Sequence, residues 1–79
     1  MTGTHTLGAV ARGAPLPRLK EWRIKRGFTQ EELAAETAGK VGLSTINRLE
    51  RLPDAAAEVR TARTLAAALG VEIADLLAP

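Results

Sequence analysis

The sequence contains no cysteine, so a disulfide framework and a thiolate metal site are both excluded. It has a single histidine, His5, in an irregular stretch near the start, which is too little for a histidine-rich metal centre. No apolar run approaches the length of a membrane span. The N-terminus lacks the basic start and long apolar run of a signal peptide, so a soluble, cytoplasmic protein is expected. No alternation of apolar and polar residues is present, and no sheet is expected. There is also no nucleophile–base pair, no phosphate-cradling glycine loop and no set of metal ligands. The chain therefore does not read as an enzyme, and neither a cofactor nor a metal is expected.

What is present fits one small domain. A chain of 79 residues buries only about 60% of its unfolded surface, so stability should be modest. The net charge is only +2, but it is unevenly spread. Between positions 18 and 26, Arg18, Lys20, Arg23, Lys25 and Arg26 stand against one acid, Glu21. Such a cluster suits contact with phosphates, or a solvated helix face with cations near a favourable dipole end.

Residues 1–17 are rich in Thr, Gly, Ala and Pro, show no period, and read as a flexible tail. Arg12 within it belongs either to a minor-groove arm or to an untied terminus. A first helix is expected over about 18–26. Leu19 and Trp22 share its inner face, and Gly27 follows as a left-handed C-terminal cap. Trp22 reads as a core anchor rather than a ligand platform.

A second helix is expected over about 30–38, with an unusually complete start. Thr29 and Glu32 match a capping box, Phe28 and Leu33 a hydrophobic staple, and Glu31 and Glu32 place negative charge in the first turn. A turn marked by Gly39 and Gly42 follows, in which either Val41 or Leu43 should plug the core. Lys40 there reaches a phosphate or is simply solvated. The next helix is expected over about 44–52, capped by Gly42 or Ser44 and stopped before Pro53. Ile46 and Leu49 share its inner face. Ser44, Asn47, Arg48 and Arg51 then lie toward the outside, and with Thr45 they are the candidate side chains of a major-groove reader. Residues 54–58 are open to a loop, a helical turn, or a long helix running on to Leu69. Ala62, Leu65, Ala66 and Leu69 form a helical inner face before Gly70, and 71–78 carry a last short helix with Ile73, Leu76 and Leu77.

Three separated blocks carry a family resemblance. Thr29-Gln30-Glu31-Glu32-Leu33-Ala34, Ser44-Thr45-Ile46-Asn47-Arg48-Leu49-Glu50 and Leu65-Ala66-Ala67-Ala68-Leu69-Gly70-Val71 together resemble the Cro/C1-type, or Xre, helix-turn-helix domain over about 18–77. One departure stands out: the turn over 37–42 carries roughly two extra residues relative to that pattern. The resemblance implies an all-α, lambda-repressor-like domain of five helices over 18–79, following the tail. It implies a sequence-specific regulator bound to double-stranded DNA as a homodimer. Gln30 inherits a phosphate contact. By their own position Ser44, Thr45, Asn47 and Arg48 are candidates for contact with base edges and Arg51 for a phosphate. If the extra turn residues shift the start of the reader, Leu43 and Ser44 take the leading role, with Leu43 against a thymine methyl. Arg23 and Glu50 inherit a structural salt bridge. The rival reading on the same fold is an antitoxin-like or adaptor module that binds a protein partner.

Overall fold

The computed structural model describes residues 13–52 and 54–77. Five α-helices make up most of them: α1 (Leu19–Lys25), α2 (Gln30–Glu36), α3 (Leu43–Arg51), α4 (Val59–Leu69) and α5 (Ile73–Leu76). Each buries the stripe that its spacing sets out. Leu19 of α1, Leu33 of α2, Ile46 and Leu49 of α3, Ala62, Leu65, Ala66 and Leu69 of α4 and Leu76 of α5 form one core with Leu16, Val41 and Ala57. Trp22 packs at the edge of that core. Its indole N–H donates to the Asp75 carbonyl at 2.9 Å, which ties α1 to α5. The backbone N–H of Arg18 also donates to the Leu76 carbonyl, so the start of the first helix is held against the last.

The start of α2 has the local chemistry expected of it. The Thr29 hydroxyl accepts from the Glu32 backbone N–H at 3.0 Å, and the Thr29 N–H donates to Glu32 Oε1 at 2.8 Å. The helix ends at Glu36 rather than near Ala38, because Ala38 and Gly39 both adopt positive φ, at 57° and 81°. That conformation turns the chain sharply and costs a residue with a Cβ more than it costs glycine. Thr37 closes the turn. It is buried, donates its hydroxyl to the Ala34 carbonyl at 2.7 Å and accepts from the Val41 N–H at 3.1 Å. Val41 thereby enters the core, whereas Leu43 remains 43% exposed. Gly42 is the N-cap of α3, so that helix begins and ends one residue earlier than the expected 44–52. The cap at its far end is Leu52. Pro53, expected to stop it, lies outside the described residues, as do His5 and Arg12.

Two expectations are corrected at the N-terminal side. Ala14–Pro15 pairs antiparallel with Ala56–Ala57, making a two-residue bridge where no sheet was expected. Alanine, proline and backbone groups make this pairing, so no alternating side-chain pattern announces it. The stretch read as a tail to Pro17 is also packed at its end, since Leu16 is a core residue. After α3 the chain makes a turn, with the Ala55 N–H bonded to the Leu52 carbonyl. It then forms the bridge strand and enters α4 only at Val59, so there is no long helix from Asp54.

Candidate nucleic-acid interface

The outer face of α3 and the start of α2 stand side by side. With Ile46 and Leu49 buried, Ser44, Asn47, Arg48 and Arg51 are all exposed, Thr45 is half-buried at the flank, and Leu43 adds an exposed apolar group at the first turn. The helix thus has an apolar back and a front of hydroxyl, amide and guanidinium groups.

This face is held by a chain of polar contacts that crosses three helices. Arg23 on α1 donates to Glu50 on α3 through two nitrogens, Nε to Oε2 at 2.6 Å and Nη2 to Oε1 at 2.9 Å. Its remaining terminal nitrogen donates to the Phe28 carbonyl at 2.8 Å. The two side chains are 12% and 4% exposed. Burial works against a charged Glu50. Hydrogen bonds from Arg23 and Gln30, with the positive fields of Arg23 and Lys20, outweigh it and hold the carboxyl below its ordinary pKa. The Arg23 guanidinium is shifted up by the bond to Glu50, against the effect of burial.

Gln30 continues the chain. Its amide nitrogen donates to Glu50 Oε1 at 3.1 Å, and its amide oxygen accepts from Asn47 Nδ2 at 3.4 Å. Arg51 Nε in turn donates to Asn47 Oδ1 at 3.4 Å. Lys20, Gln30, Asn47, Glu50 and Arg51 line one shallow cleft. The first position of α2 is therefore fixed against the middle of α3 by side chains, a part for Gln30 that its spacing alone does not reveal.

The basic cluster of α1 is less available than its composition suggests. Glu21 binds both Arg18, at 2.9 Å, and Lys25, at 3.2 Å. Hydrogen bonds from these two cations pull the Glu21 pKa down to about 2. Arg18, Lys25 and Arg26 also gather over the Trp22 ring, 4.8–5.8 Å from its centroid, where cation–π attraction adds to their placement. With Arg23 committed to Glu50, Lys20 and Arg26 are the cations of this cluster without an acidic partner among the described residues.

The order of the elements, the turn and the exposed face of α3 agree with a match to the family model described as Helix-turn-helix, over residues 19–76. The chain belongs to the Cro/C1-type helix-turn-helix family. It is similar to the SPbeta prophage-derived uncharacterized HTH-type transcriptional regulator YopO of Bacillus subtilis (strain 168). The two are 38% identical over 60 residues, which span 76% of this chain and 81% of that protein. No solved structure matches it significantly. In helix-turn-helix terms α2 and α3 are the motif, and 37–42 its turn. That turn contains the left-handed pair at Ala38 and Gly39 and the buried Thr37. Ile46 and Leu49 keep their inward phase. No helix among the described residues is long and apolar enough to cross a membrane.

Proposed function

We propose that this protein is a sequence-specific DNA-binding transcriptional regulator that places α3 in the major groove of an operator. The observation that carries this reading is the exposed row of Ser44, Asn47, Arg48 and Arg51, opposite a fully buried Ile46 and braced by Gln30. Asparagine pairs in bidentate fashion with adenine, arginine with guanine, and serine or threonine with several edges. Leu43 offers an apolar contact to a thymine methyl. Gln30 stands at the first turn of α2, where backbone N–H groups favour a phosphate. Binding as a homodimer to an inverted repeat follows the usual geometry of such motifs, in which protein symmetry is mirrored in the site. Occupancy of the operator, without chemistry on the DNA, is the mechanism.

Selection of sites from random duplexes tests this directly. The wild type should enrich one two-fold motif. Asn47→Ala and Arg48→Ala should each lose about 1–3 kcal/mol at particular base pairs and relax preference there. Arg51→Ala should weaken all sequences alike and reduce the log–log salt slope by about one unit. No enrichment by the wild type would reject the regulator reading in favour of a protein-interaction module. Unchanged motifs in both Asn47→Ala and Arg48→Ala would remove this face as the reader.

A further inference from the structure

We infer that Glu50 is a positioning residue for base readout: acting through Gln30, it sets which way round the Asn47 amide is presented to DNA. The inference rests on the DNA-binding reading and gives the carboxylate of the buried ion pair a second task.

The two ends of one chain of contacts fix its direction. At the inner end a carboxylate can only accept. Glu50 Oε1, which already takes the Arg23 bond at 2.9 Å, therefore meets the amide nitrogen of Gln30, at 3.1 Å, and not its oxygen. The Gln30 oxygen is thereby turned toward α3, where Asn47 Nδ2 donates to it at 3.4 Å. At the outer end a guanidinium can only donate, and Arg51 Nε meets Asn47 Oδ1 at 3.4 Å. Both ends demand the same order of oxygen and nitrogen in Asn47. Reversing that amide would set N–H against the Arg51 N–H, and oxygen against the Gln30 oxygen.

The two ends are not equal. The Glu50 side chain is almost wholly buried, and its bond from Gln30 is charge-assisted and shielded from water, which strengthens it. Asn47 and Arg51 are exposed, so water competes for their contact. Glu50 is thus the group that decides the direction. The order matters to DNA because adenine presents its N6 donor and N7 acceptor in a fixed arrangement. Asn47 keeps one lone pair and one N–H after its contacts with Arg51 and Gln30. Held one way round, these two groups meet a base edge in one order only, and no binding energy is lost in fixing it.

The test uses the full chain and duplexes built on the motif that the wild type selects, at a temperature where melting curves show every variant folded. Asn47→Ala marks the base pair that Asn47 reads, where a bidentate contact is worth about 5–150-fold in discrimination. Glu50→Gln lets position 50 donate as well as accept, which opens both directions of the chain. Discrimination at the marked base pair should fall toward the Asn47→Ala level, while the preference set by Arg48 stays. Gln30→Met breaks the chain without touching the ion pair and should relax the same base pair. The swap Gln30→Glu with Glu50→Gln moves the acceptor-only group to position 30, where Asn47 Nδ2 must again donate, and should restore the discrimination. Uniform weakening of all sequences in Glu50→Gln and Gln30→Met, with relative preferences unchanged, would overturn the inference and leave the reader face standing. So would a loss of discrimination that the swap fails to restore, or an Asn47→Ala that relaxes no position. A wild type that selects no motif would overturn both this inference and the DNA-binding reading.

Discussion

Replacing Glu50 should be among the most damaging single changes away from the apolar core. Glu50→Leu leaves Arg23 facing an apolar neighbour, 12% exposed, with the Phe28 carbonyl as its remaining partner. Removing one member of a buried ion pair typically costs about 3–5 kcal/mol, because the other charge stays desolvated and uncompensated. The retained bond to Phe28 and the partial access to water place this case near the lower end, at about 3 kcal/mol. A domain of 79 residues has a total stability of about 4–12 kcal/mol, so the loss is a large share of it. In a domain of this size each kcal/mol moves the melting temperature by about 4–8 °C, and the expected fall is about 12–24 °C. Arg23→Met should act similarly by stranding Glu50. The combination of Arg23→Met with Glu50→Leu should recover much of the loss, since no buried charge remains. Thermal and urea melts, followed by circular dichroism and by Trp22 emission, give the full double-mutant cycle. If each single variant loses less than about 1 kcal/mol and the effects simply add, the pair behaves like an exposed one and the reasoning from burial is wrong.

Other perturbations probe different links. Glu50 has its pKa lowered in the folded protein. Its contribution should be complete above the ordinary glutamate value of 4.5 and be lost as pH falls through the lower folded value. Glu50→Gln should flatten that part of a stability–pH curve, and an unchanged acid limb would count against the bond from Arg23. Thr37→Val should cost about 1–3 kcal/mol by leaving the buried Val41 N–H without its acceptor; a neutral effect in a urea melt would show that the turn closes by other means. Gly13→Ala should destabilise by about 1–3 kcal/mol. Gly13 has φ of 102°, and an added Cβ would lie 2.8 Å from the Ala57 carbonyl oxygen. Full stability in that variant would mean that the bridge to 56–57 contributes little.

Much of this protein was legible because its signals are local. The capping box at Thr29 and Glu32 needs residues three apart and nothing else, so the start of α2 follows from composition and spacing. The phase of α3 follows from Ile46 and Leu49, since a short helix with one apolar pair can dock in only one way. The spacing of Glu21 from Arg18 and Lys25, three and four residues, also suits ion pairs, but a count of charges in the cluster does not show them.

Other features needed the folded chain. Val41 and Leu43 are comparable apolar residues two positions apart. The left-handed turn and the Thr37 hydroxyl, acting together, send Val41 inward and leave Leu43 exposed. The pairing of Ala14–Pro15 with Ala56–Ala57 joins segments about forty residues apart through backbone groups, which carry no residue-specific signature. Gln30 became a brace for Glu50 and Asn47 by the packing of separate helices. Sequence alone determined which helices form and which stripes they bury, because propensity, capping and periodicity act within a few residues. Tertiary structure decided that Arg23 is spent on Glu50 and that Gln30 braces both Glu50 and Asn47, because those contacts depend on distances between elements that no spacing along the chain encodes.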